Sequence, residues 1–332
     1  MQILFRENKA QYLIEKANQT TTVMKAVRIH AFGGPEVLQY EDAPLPEPGP
    51  TEVRVRIQAC GINPVDWKIR AGHAKGAFPS QFPQILGWDI AGTVDATGSM
   101  ALRYKPGDAV YSRPDITRPG GYAEYIVIRE DELALMPGNM SPAEAAGVPL
   151  AGLTAWMMLF DKADLRPGQK VLIHGGSGGV GNYGIQLAKA AGAYVITTTS
   201  ARNTDLVRSL GADQVIDYRN QDFSQVVKDL DVVLDTIGGD TLERSYGILK
   251  RGGAITTTVA RPDEVKVAAL GLRTGYGMVQ PNGARLEQMA KLIEREQVRT
   301  VIDKIFPLQD VREAHAYSET GHAAGKIILE VS

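Results

Sequence analysis

The chain has 332 residues, of which 44% are apolar and 22% are charged, and its formal net charge is −2. This composition is typical of a globular protein large enough for two domains, and it gives no sign of a nucleic-acid or membrane surface. Because Cys60 is the only cysteine, a disulfide within the chain and a cysteine-rich metal site are excluded.

Residues 1–23 precede the first convincing strand and are interpreted as an extension of the folded body. Charged residues interrupt every apolar stretch in this segment, so no secretion signal is predicted; they are Glu7, Lys9, Glu15 and Lys16. No apolar run in the sequence approaches the length of a membrane span. We therefore expect a cytoplasmic protein without a membrane partner.

Short strands separated by glycine and proline turns dominate residues 24–135. Apolar and polar residues alternate with period two in Met24–Ile29, Val53–Ile57 and Tyr122–Ile128, which predicts half-buried strands. The pattern favours a small β-barrel or sandwich. The lone strand predicted over Lys326–Val331 is expected to return to this domain, so residues 24–147 and 300–332 would form it together.

A different pattern begins near residue 141. Ser141-Pro142-Ala143-Glu144 combines a capping residue, a proline at the first helical position and a glutamate three residues after the cap, which predicts a helix start. Apolar runs with helical stretches between them then recur over residues 148–299; they are Val171–His174, Tyr194–Thr199, Gln214–Tyr218, Val232–Asp235 and Ala254–Thr258. This order predicts an α/β domain with a doubly wound parallel sheet.

The strongest signal for a ligand is the segment Val171-Leu-Ile-His-Gly-Gly-Ser-Gly-Gly-Val-Gly181. Gly176, Gly178 and Gly181 give the pattern G-x-G-x-x-G between an apolar strand and a helical stretch. Glycine allows a tight turn, close approach to a pyrophosphate and close packing of helix on strand. The amides at the helix N-terminus then bind phosphate. The motif predicts a dinucleotide site, with a plain glycine-rich turn as the alternative.

The end of the second predicted strand distinguishes NADPH from NADH. An NAD site has Asp or Glu there to bind the ribose 2′-hydroxyl. This strand instead ends in Thr197-Thr198-Thr199-Ser200-Ala201-Arg202-Asn203. Hydroxyls and a guanidinium suit a 2′-phosphate. The cofactor hypothesis is therefore NADP(H), bound jointly by Ser200, Arg202 and Tyr218; the alternative is that Arg202 is a solvated loop cation.

From Met24 to the C-terminus the chain resembles the medium-chain dehydrogenase/reductases. Seven segments in one order carry the resemblance: Gly61-Ile-Asn-Pro-Val-Asp66, Gly87-Trp-Asp-Ile-Ala-Gly92, Lys105-Pro-Gly-Asp108, Ala146-Gly-Val-Pro-Leu-Ala-Gly-Leu-Thr-Ala155, His174-Gly-Gly-Ser-Gly-Gly-Val-Gly181, Leu210-Gly-Ala-Asp213 and Gly325-Lys-Ile-Ile-Leu329. The resemblance implies a GroES-like barrel domain joined to a Rossmann domain, a small-molecule substrate and a homodimer.

The resemblance also bears on zinc. Zinc alcohol dehydrogenases of this family have Cys-Gly-Val-Cys in the first segment and Gly-His-Glu in the second, whereas Asn63 and Trp88 stand at two of the ligand positions here. The five histidines show no paired spacing, and a catalytic zinc needs three good protein ligands. We therefore expect no zinc. Without a Lewis acid, hydride donation to an already electrophilic carbon is the accessible reaction.

Residues 63–70, Asn-Pro-Val-Asp-Trp-Lys-Ile-Arg, are similar to the quinone and enone reductase branch. The resemblance implies a catalytic role for Lys68, which would stabilise enolate charge, and Asn63 would orient the substrate or the nicotinamide. Asp66 has a structural interpretation, as an ion pair with Lys68 or Arg70. Trp67, His73 and Trp88 are candidate substrate contacts, although core packing is an equal alternative for both tryptophans.

The expected cofactor contacts come from the glycine motif, the strand end and two positions that the resemblance adds, one of which would lie beside the nicotinamide. They are Thr154, Gly176, Ser177, Gly178, Gly179, Val180, Gly181, Ser200, Arg202, Asn203, Tyr218 and Lys326. Two positions depart from the family. Asn203 stands where some members have a lysine for the 2′-phosphate, and no tyrosine lies beside Asp66, where some quinone reductases have one.

The functional hypothesis is an NADPH-dependent reductase of enones, 2-alkenals or quinones. One alternative is a non-catalytic NADPH-binding protein, like the crystallins recruited from this family. Another is an enoyl-thioester reductase, which the lack of a carrier domain within the 332 residues disfavours. The identity of the acceptor and of the proton donor stays open.

Overall fold

The computed structural model describes residues 22–78 and 81–331. The extension predicted at the N-terminus therefore lies outside the described residues, except for its last two positions. Val23 already belongs to the first strand, one residue before the predicted start.

Ten strands build the first domain, and eight of them precede residue 136. They are β1 (Val23–Ile29), β2 (Gln39–Pro44), β3 (Glu52–Ile62), β4 (Gln84–Ile85), β5 (Ile90–Thr97), β6 (Ala109–Ser112), β7 (Tyr125–Arg129) and β8 (Leu133–Leu135). Six strands follow in the second domain: β9 (Lys170–Ile173), β10 (Tyr194–Thr199), β11 (Gln214–Asp217), β12 (Leu230–Asp235), β13 (Leu249–Thr257) and β14 (Arg273–Tyr276). The last two strands belong again to the first domain: β15 (Ile302–Pro307) and β16 (Lys326–Glu330).

The described α-helices have between four and twelve residues. They are α1 (Pro64–Arg70), α2 (Pro142–Ala146), α3 (Pro149–Trp156), α4 (Gly179–Ala190), α5 (Thr204–Ser209), α6 (Phe223–Val226), α7 (Gly239–Ser245), α8 (Glu264–Ala269), α9 (Gly283–Glu294) and α10 (Val311–Glu319). A π-helical turn, Met157–Lys162, continues α3. No helix in the described part of the chain is both long enough and apolar enough to cross a membrane.

The first domain is built on a largely antiparallel sheet of seven strands. Its order is β15-β16-β3-β5-β6-β8, and β7 also pairs with β3. Val53, Val55 and Ile57 of β3 are buried, as their alternation with polar residues predicts. The last strand, β16, pairs with β3 so that Ile327 faces Ile62. The C-terminal strand therefore lies in the sheet of the first domain and delivers Lys326 to the end of β3.

The second domain is a six-stranded sheet in the order β11-β10-β9-β12-β13-β14, and every pairing in it is parallel. Val171 and Ile173 of β9 belong to one apolar core, and Leu172 between them belongs to another. Both faces of the sheet are therefore covered, which explains why its strands are apolar throughout. The strand order is that of the doubly wound dinucleotide-binding fold, and the predicted α/β class is confirmed.

Candidate active site

A cavity of about 1070 Å³ runs from the carboxyl ends of β9 and β10 to the end of β3. The glycine loop at 177–181 lines one side of it, and Asn63, at the N-terminus of α1, lines another. The segment after α10 and the start of β16 complete the wall. In a doubly wound sheet, ligands bind outside the carboxyl ends of the strands, so this cavity is where a dinucleotide is expected.

The glycine motif can bind a phosphate group because the turn packs tightly against the neighbouring strand and helix. There is no room for side chains at the positions of closest contact. A Cβ atom on Gly176 would lie 2.0 Å from Oγ1 of Thr197, and one on Gly181 would lie 2.2 Å from the carbonyl oxygen of Gly175. These two glycines keep β9, β10 and α4 close together, and Gly176 does not line the cavity itself. Gly178 and Gly179 do line it at the N-terminus of α4, whose first amides lack partners within the helix.

Ser177 joins the glycine loop to the end of β10. Its Oγ accepts hydrogen bonds from Oγ1 of Thr199 at 3.0 Å and from Nδ2 of Asn203 at 3.0 Å. Arg202 lines the cavity, and its Nη2 donates to the carbonyl oxygen of His322 at 3.0 Å. Arg202 is exposed, so this bond fixes the guanidinium beside the cavity while leaving it in contact with solvent.

The strand-end residues predicted for the 2′-phosphate lie together in the structure. Ser200, Arg202, Asn203 and Tyr218 all line the cavity. Arg219 lines it as well and adds a second cation, which the sequence patterns did not single out. Its place directly after Tyr218 was the available signal.

Asn63 lies at the end of β3, where Lys326 and Asp89 fix its side chain. Nζ of Lys326 is 2.5 Å from Oδ1 of Asn63, and Nδ2 of Asn63 donates to Oδ2 of Asp89 at 2.8 Å. Lys326 also pairs with Asp89 at 3.1 Å, and all three side chains are almost fully buried. Asp89 belongs to the segment Gly87–Gly92, and its contact with Asn63 was not predicted from the sequence. Lys326, expected to bind the cofactor, lines the cavity and holds Asn63.

Asp66 belongs to a buried network and pairs with neither Lys68 nor Arg70. Its Oδ2 accepts from the backbone nitrogen of Asn63 at 2.8 Å and from the Tyr122 hydroxyl at 2.9 Å. The first bond completes a capping box at the start of α1. Burial raises the pKa of Asp66 to about 7, although both hydrogen bonds oppose the rise. The ion pairs considered for Asp66 are therefore wrong, and the carboxylate fixes the helix that carries Asn63.

Arg70 continues this network toward the surface. Its Nη2 pairs with Glu319 at 2.5 Å, and its Nη1 lies 3.1 Å from Nδ1 of His315. Nε2 of His315 lies 3.1 Å from the Tyr122 hydroxyl. Burial lowers the pKa of His315 to about 3, so the imidazole is neutral at physiological pH. The network ties α1 to α10 through side chains from distant parts of the sequence.

The other residues predicted for catalysis and substrate contact separate into two groups. Lys68 is exposed and lines the cavity, and Thr154 on α3 lines it too. Trp67 and His73 pack edge to face, with ring centroids 6.1 Å apart, and neither lines the cavity. Trp88 is fully buried, and its Nε1 donates to the carbonyl oxygen of Arg118. The prediction that Trp88 contacts the substrate is therefore wrong, because its side chain packs in the core.

The side chains at the positions that hold zinc ligands in the zinc alcohol dehydrogenases do not fit a catalytic zinc. Sγ of Cys60 is buried and donates to the carbonyl oxygen of Gly121 at 2.6 Å. Burial, together with the charges of Asp89 and Asp66, raises the pKa of this thiol well above its usual range. Asn63 and Trp88 supply an amide and an indole. Across residues 22–78 and 81–331, no three His, Cys, Asp or Glu side chains are grouped so that they could hold a metal ion.

These features define an oxidoreductase class: a doubly wound nucleotide domain whose glycine loop faces polar side chains of a β-rich domain. Residues 49–138 match the alcohol dehydrogenase GroES-like domain, and residues 210–329 match the zinc-binding dehydrogenase family. Together with the relatives below, these matches show that the chain belongs to the medium-chain dehydrogenase/reductases, in the branch of quinone oxidoreductases and enone reductases. The predicted GroES-like and Rossmann architecture is confirmed, and a nicotinamide dinucleotide is the cofactor class.

Two curated relatives and one solved structure illustrate this membership. The chloroplast envelope quinone oxidoreductase homolog of Arabidopsis thaliana is 35% identical, over 93% of this chain and 98% of that protein. The 2-methylene-furan-3-one reductase of Solanum lycopersicum is 36% identical, over 92% of this chain and 79% of that protein. The structure of the quinone oxidoreductase from Coxiella burnetii superposes with a TM-score of 0.86 at 34% identity, covering 94% of this chain and 100% of that one.

Proposed function

We propose that the protein is an NADPH-dependent reductase that transfers hydride, without zinc, to the electrophilic carbon of an enone, a 2-alkenal or a quinone. The observation that carries this proposal is that one cavity contains both the glycine loop and the Asn63 side chain held by Lys326 and Asp89. The names of the two relatives and of the solved structure, which include quinone and enone reductases, support the choice of acceptor.

NADPH is favoured over NADH by the groups around the end of β10. Ser200, Arg202 and Arg219 line the cavity there, and the strand end itself has no carboxylate to repel a phosphate. A guanidinium binds a phosphate through charge-assisted hydrogen bonds that a ribose hydroxyl does not form as strongly. The 2′-phosphate would therefore lie between the end of β10 and the loop at 218–219.

The side chain of Asn63 is oriented so that it can donate to an acceptor carbonyl. Lys326 has donors only, so Oδ1 of Asn63 must face it. One of the two amide protons on Nδ2 goes to Asp89, and the other is left for a ligand. Bound NADPH would supply the hydride, and the carbonyl oxygen of an enone would then become negative. Asn63 and Lys68 both line the cavity. The remaining amide proton of Asn63 and the ammonium of Lys68 would therefore stabilise that charge.

We propose that the active unit is a cytoplasmic homodimer. The strand β14 is at the end of the six-stranded sheet and pairs only with β13 among the described strands. Tyr276 on this strand and Met278 just after it are exposed. Unpaired strand edges favour association with another strand, so the edge at β14 is a candidate contact between copies. Light scattering tests the dimer, and cell fractionation tests the location.

The decisive experiment for the reductase is a panel of quinones, enones and 2-alkenals assayed with NADPH and with NADH. Oxidation of NADPH by at least one class, unchanged by a chelator, is the expected result, and metal analysis of the same preparation should find no stoichiometric zinc. Binding of NADPH without turnover of any acceptor would instead identify a non-catalytic binding protein.

A further inference from the structure

Arg113 is a buried arginine that no described carboxylate satisfies. It directly follows β6, is 1% exposed and lines the cavity. Its Nε is buried and has no hydrogen-bond partner among the described residues. Arg70, which is equally buried, pairs with Glu319 at 2.5 Å. A buried charge without a partner is costly, so the position of Arg113 calls for a counter-ion.

The carboxylates that act electrostatically on Arg113 form no ion pair with it, and three of the four pair with another cation. Burial lowers the pKa of its guanidinium, and the charges of four acidic residues only partly offset this effect; they are Asp89, Asp115, Glu132 and Asp66. Asp89 is held by Lys326 and Asn63, whereas Asp66 accepts only from neutral groups and forms no ion pair with Arg113 or any other described cation. Asp115 and Glu132 both pair with Arg129. The guanidinium is therefore left for a group that enters the cavity.

The wall next to Asn63 is apolar apart from its cations. It is formed by Ile62, Pro64, Val65, Ile116 and Leu150. Lys68 lines the same region and forms no ion pair with a described residue, whereas Lys326 is neutralised by Asp89. The described residues of the cavity wall include one carboxylate, Asp222, which pairs with Arg244. This end of the cavity therefore combines an apolar wall with two cations, Arg113 and Lys68, that form no ion pair with a described residue.

We propose that Arg113 binds a carboxylate on the acceptor, so that the preferred substrates are enones that carry a carboxylate group. This inference rests on the proposed reductase function and specifies its substrate class. A guanidinium matches a carboxylate with two parallel hydrogen bonds, which a neutral carbonyl does not offer. A full negative charge also compensates the burial of Arg113 better than a neutral dipole does.

The test compares an acid with its ester. Trans-4-oxo-2-pentenoate and its methyl ester have the same enone, and the ester is the more electrophilic of the two, so intrinsic reactivity alone would favour the ester. We expect the wild-type protein with NADPH to show a kcat/KM at least tenfold higher for the acid. Equal values, or a preference for the ester, would overturn the proposal without any variant being needed.

Variants then assign the preference to Arg113. Arg113→Met should abolish the preference mainly by raising KM for the acid, because the carboxylate contact is the same in the ground state and in the transition state. Activity on the ester should persist. Arg113→Lys should keep part of the preference. The matched control is Arg56→Met, which removes an exposed arginine of β3 that lies outside the cavity and should change neither substrate.

The outcomes separate this inference from the reductase proposal. If neither compound nor any member of the quinone, enone and 2-alkenal panel is reduced, the proposed function fails. If the ester is reduced but the acid has no advantage, only the role of Arg113 fails. An equal loss on acid and ester in a folded Arg113→Met variant would show that Arg113 acts on the shared carbonyl, and it too would overturn the proposal.

Discussion

The ammonium group of Lys326 lies 2.5 Å from Oδ1 of Asn63, although the two residues are 263 positions apart in the sequence. The contact joins the end of β3 to the beginning of β16, which are neighbours in one sheet. Because an ammonium group only donates, it fixes the orientation of the Asn63 amide, and Asp89 reinforces that orientation from the other side. The orientation of the Asn63 amide donor is therefore fixed by two buried charged side chains, Lys326 and Asp89.

Replacing Asn63 should therefore impair the chemical step. We expect Asn63→Ala to lower kcat for an enone by about a hundredfold, the usual loss when a donor to a developing oxyanion is removed. Binding of NADPH should change little, because the glycine loop and the end of β10 are untouched. Steady-state kinetics and NADPH fluorescence titration measure the two quantities. Full activity of the variant would remove Asn63 from the mechanism.

Breaking the Lys326–Asp89 pair should destabilise the protein. Lys326→Met leaves the buried Asp89 carboxylate without its cation, and removing one partner of a buried pair costs about 3–5 kcal/mol. In Lys326→Met with Asp89→Asn, the uncompensated charge is gone, so the double variant should lose less than the sum of the two single losses. Urea unfolding of all four proteins gives the coupling free energy. Strict additivity would contradict a direct pair.

The sequence allowed the fold class and the dinucleotide loop to be predicted because both depend on local patterns. The G-x-G-x-x-G pattern lies within one strand–turn–helix unit, although Gly176 also contacts Thr197 of the adjacent β10. The residues at the end of β10 follow one another directly in the sequence. The partners of Asn63 could not be predicted in this way, since Asp89 and Lys326 reach it through sheet pairing between distant segments.

The burial of Arg113 and of Trp88 could not be predicted from the local sequence either. Arginines are mostly exposed, and nothing in the local sequence marks Arg113 as buried. Trp88 occupies the position of a zinc ligand in related enzymes, which suggested a place in the site, yet its indole is in the core of the first domain. Whether such a side chain faces the cavity depends on the packing of several strands.

Arg202 should determine the preference for NADPH. The wild-type protein should favour NADPH over NADH by tenfold or more, since a charge-assisted hydrogen bond contributes about 1.5–3 kcal/mol. Arg202→Gln should raise KM for NADPH and leave KM for NADH nearly unchanged. Arg208→Gln is the matched control, because Arg208 is exposed on α5 and does not line the cavity. Equal kcat/KM for both cofactors in the wild-type protein would refute the assignment.

Lys68 is expected to assist the same oxyanion as Asn63. Lys68→Ala should lower kcat/KM for enones by at least tenfold. The loss should be smaller than the one expected for Asn63→Ala, because water can replace an exposed ammonium group. The matched control is Lys105→Ala, an exposed lysine of the first domain outside the cavity. If the affinity for NADPH falls while kcat holds, Lys68 is a cofactor residue. If nothing changes, it has no part in the reaction.

Asp66 should make the stability of the protein depend on pH. Burial raises the pKa of its carboxyl group from about 3.8 to about 7, so the folded state retains a proton that the unfolded state has already lost between these values. The free energy of unfolding that Asp66 contributes must therefore fall as pH rises through this window, by about 4 kcal/mol at 1.36 kcal/mol per pKa unit.

His174 and His315 oppose this effect, so Asp66 must be isolated by a difference measurement. Burial lowers the pKa of each imidazole to about 3, which makes stability rise with pH between about 3 and 6.5. Asp66→Asn keeps an acceptor for the Tyr122 hydroxyl and removes only the titration of Asp66. The stability of Asp66→Asn relative to the wild-type protein should therefore increase from pH 4.5 to pH 7.5 in urea unfolding. A difference that stays constant across this range would show that Asp66 is ionised throughout.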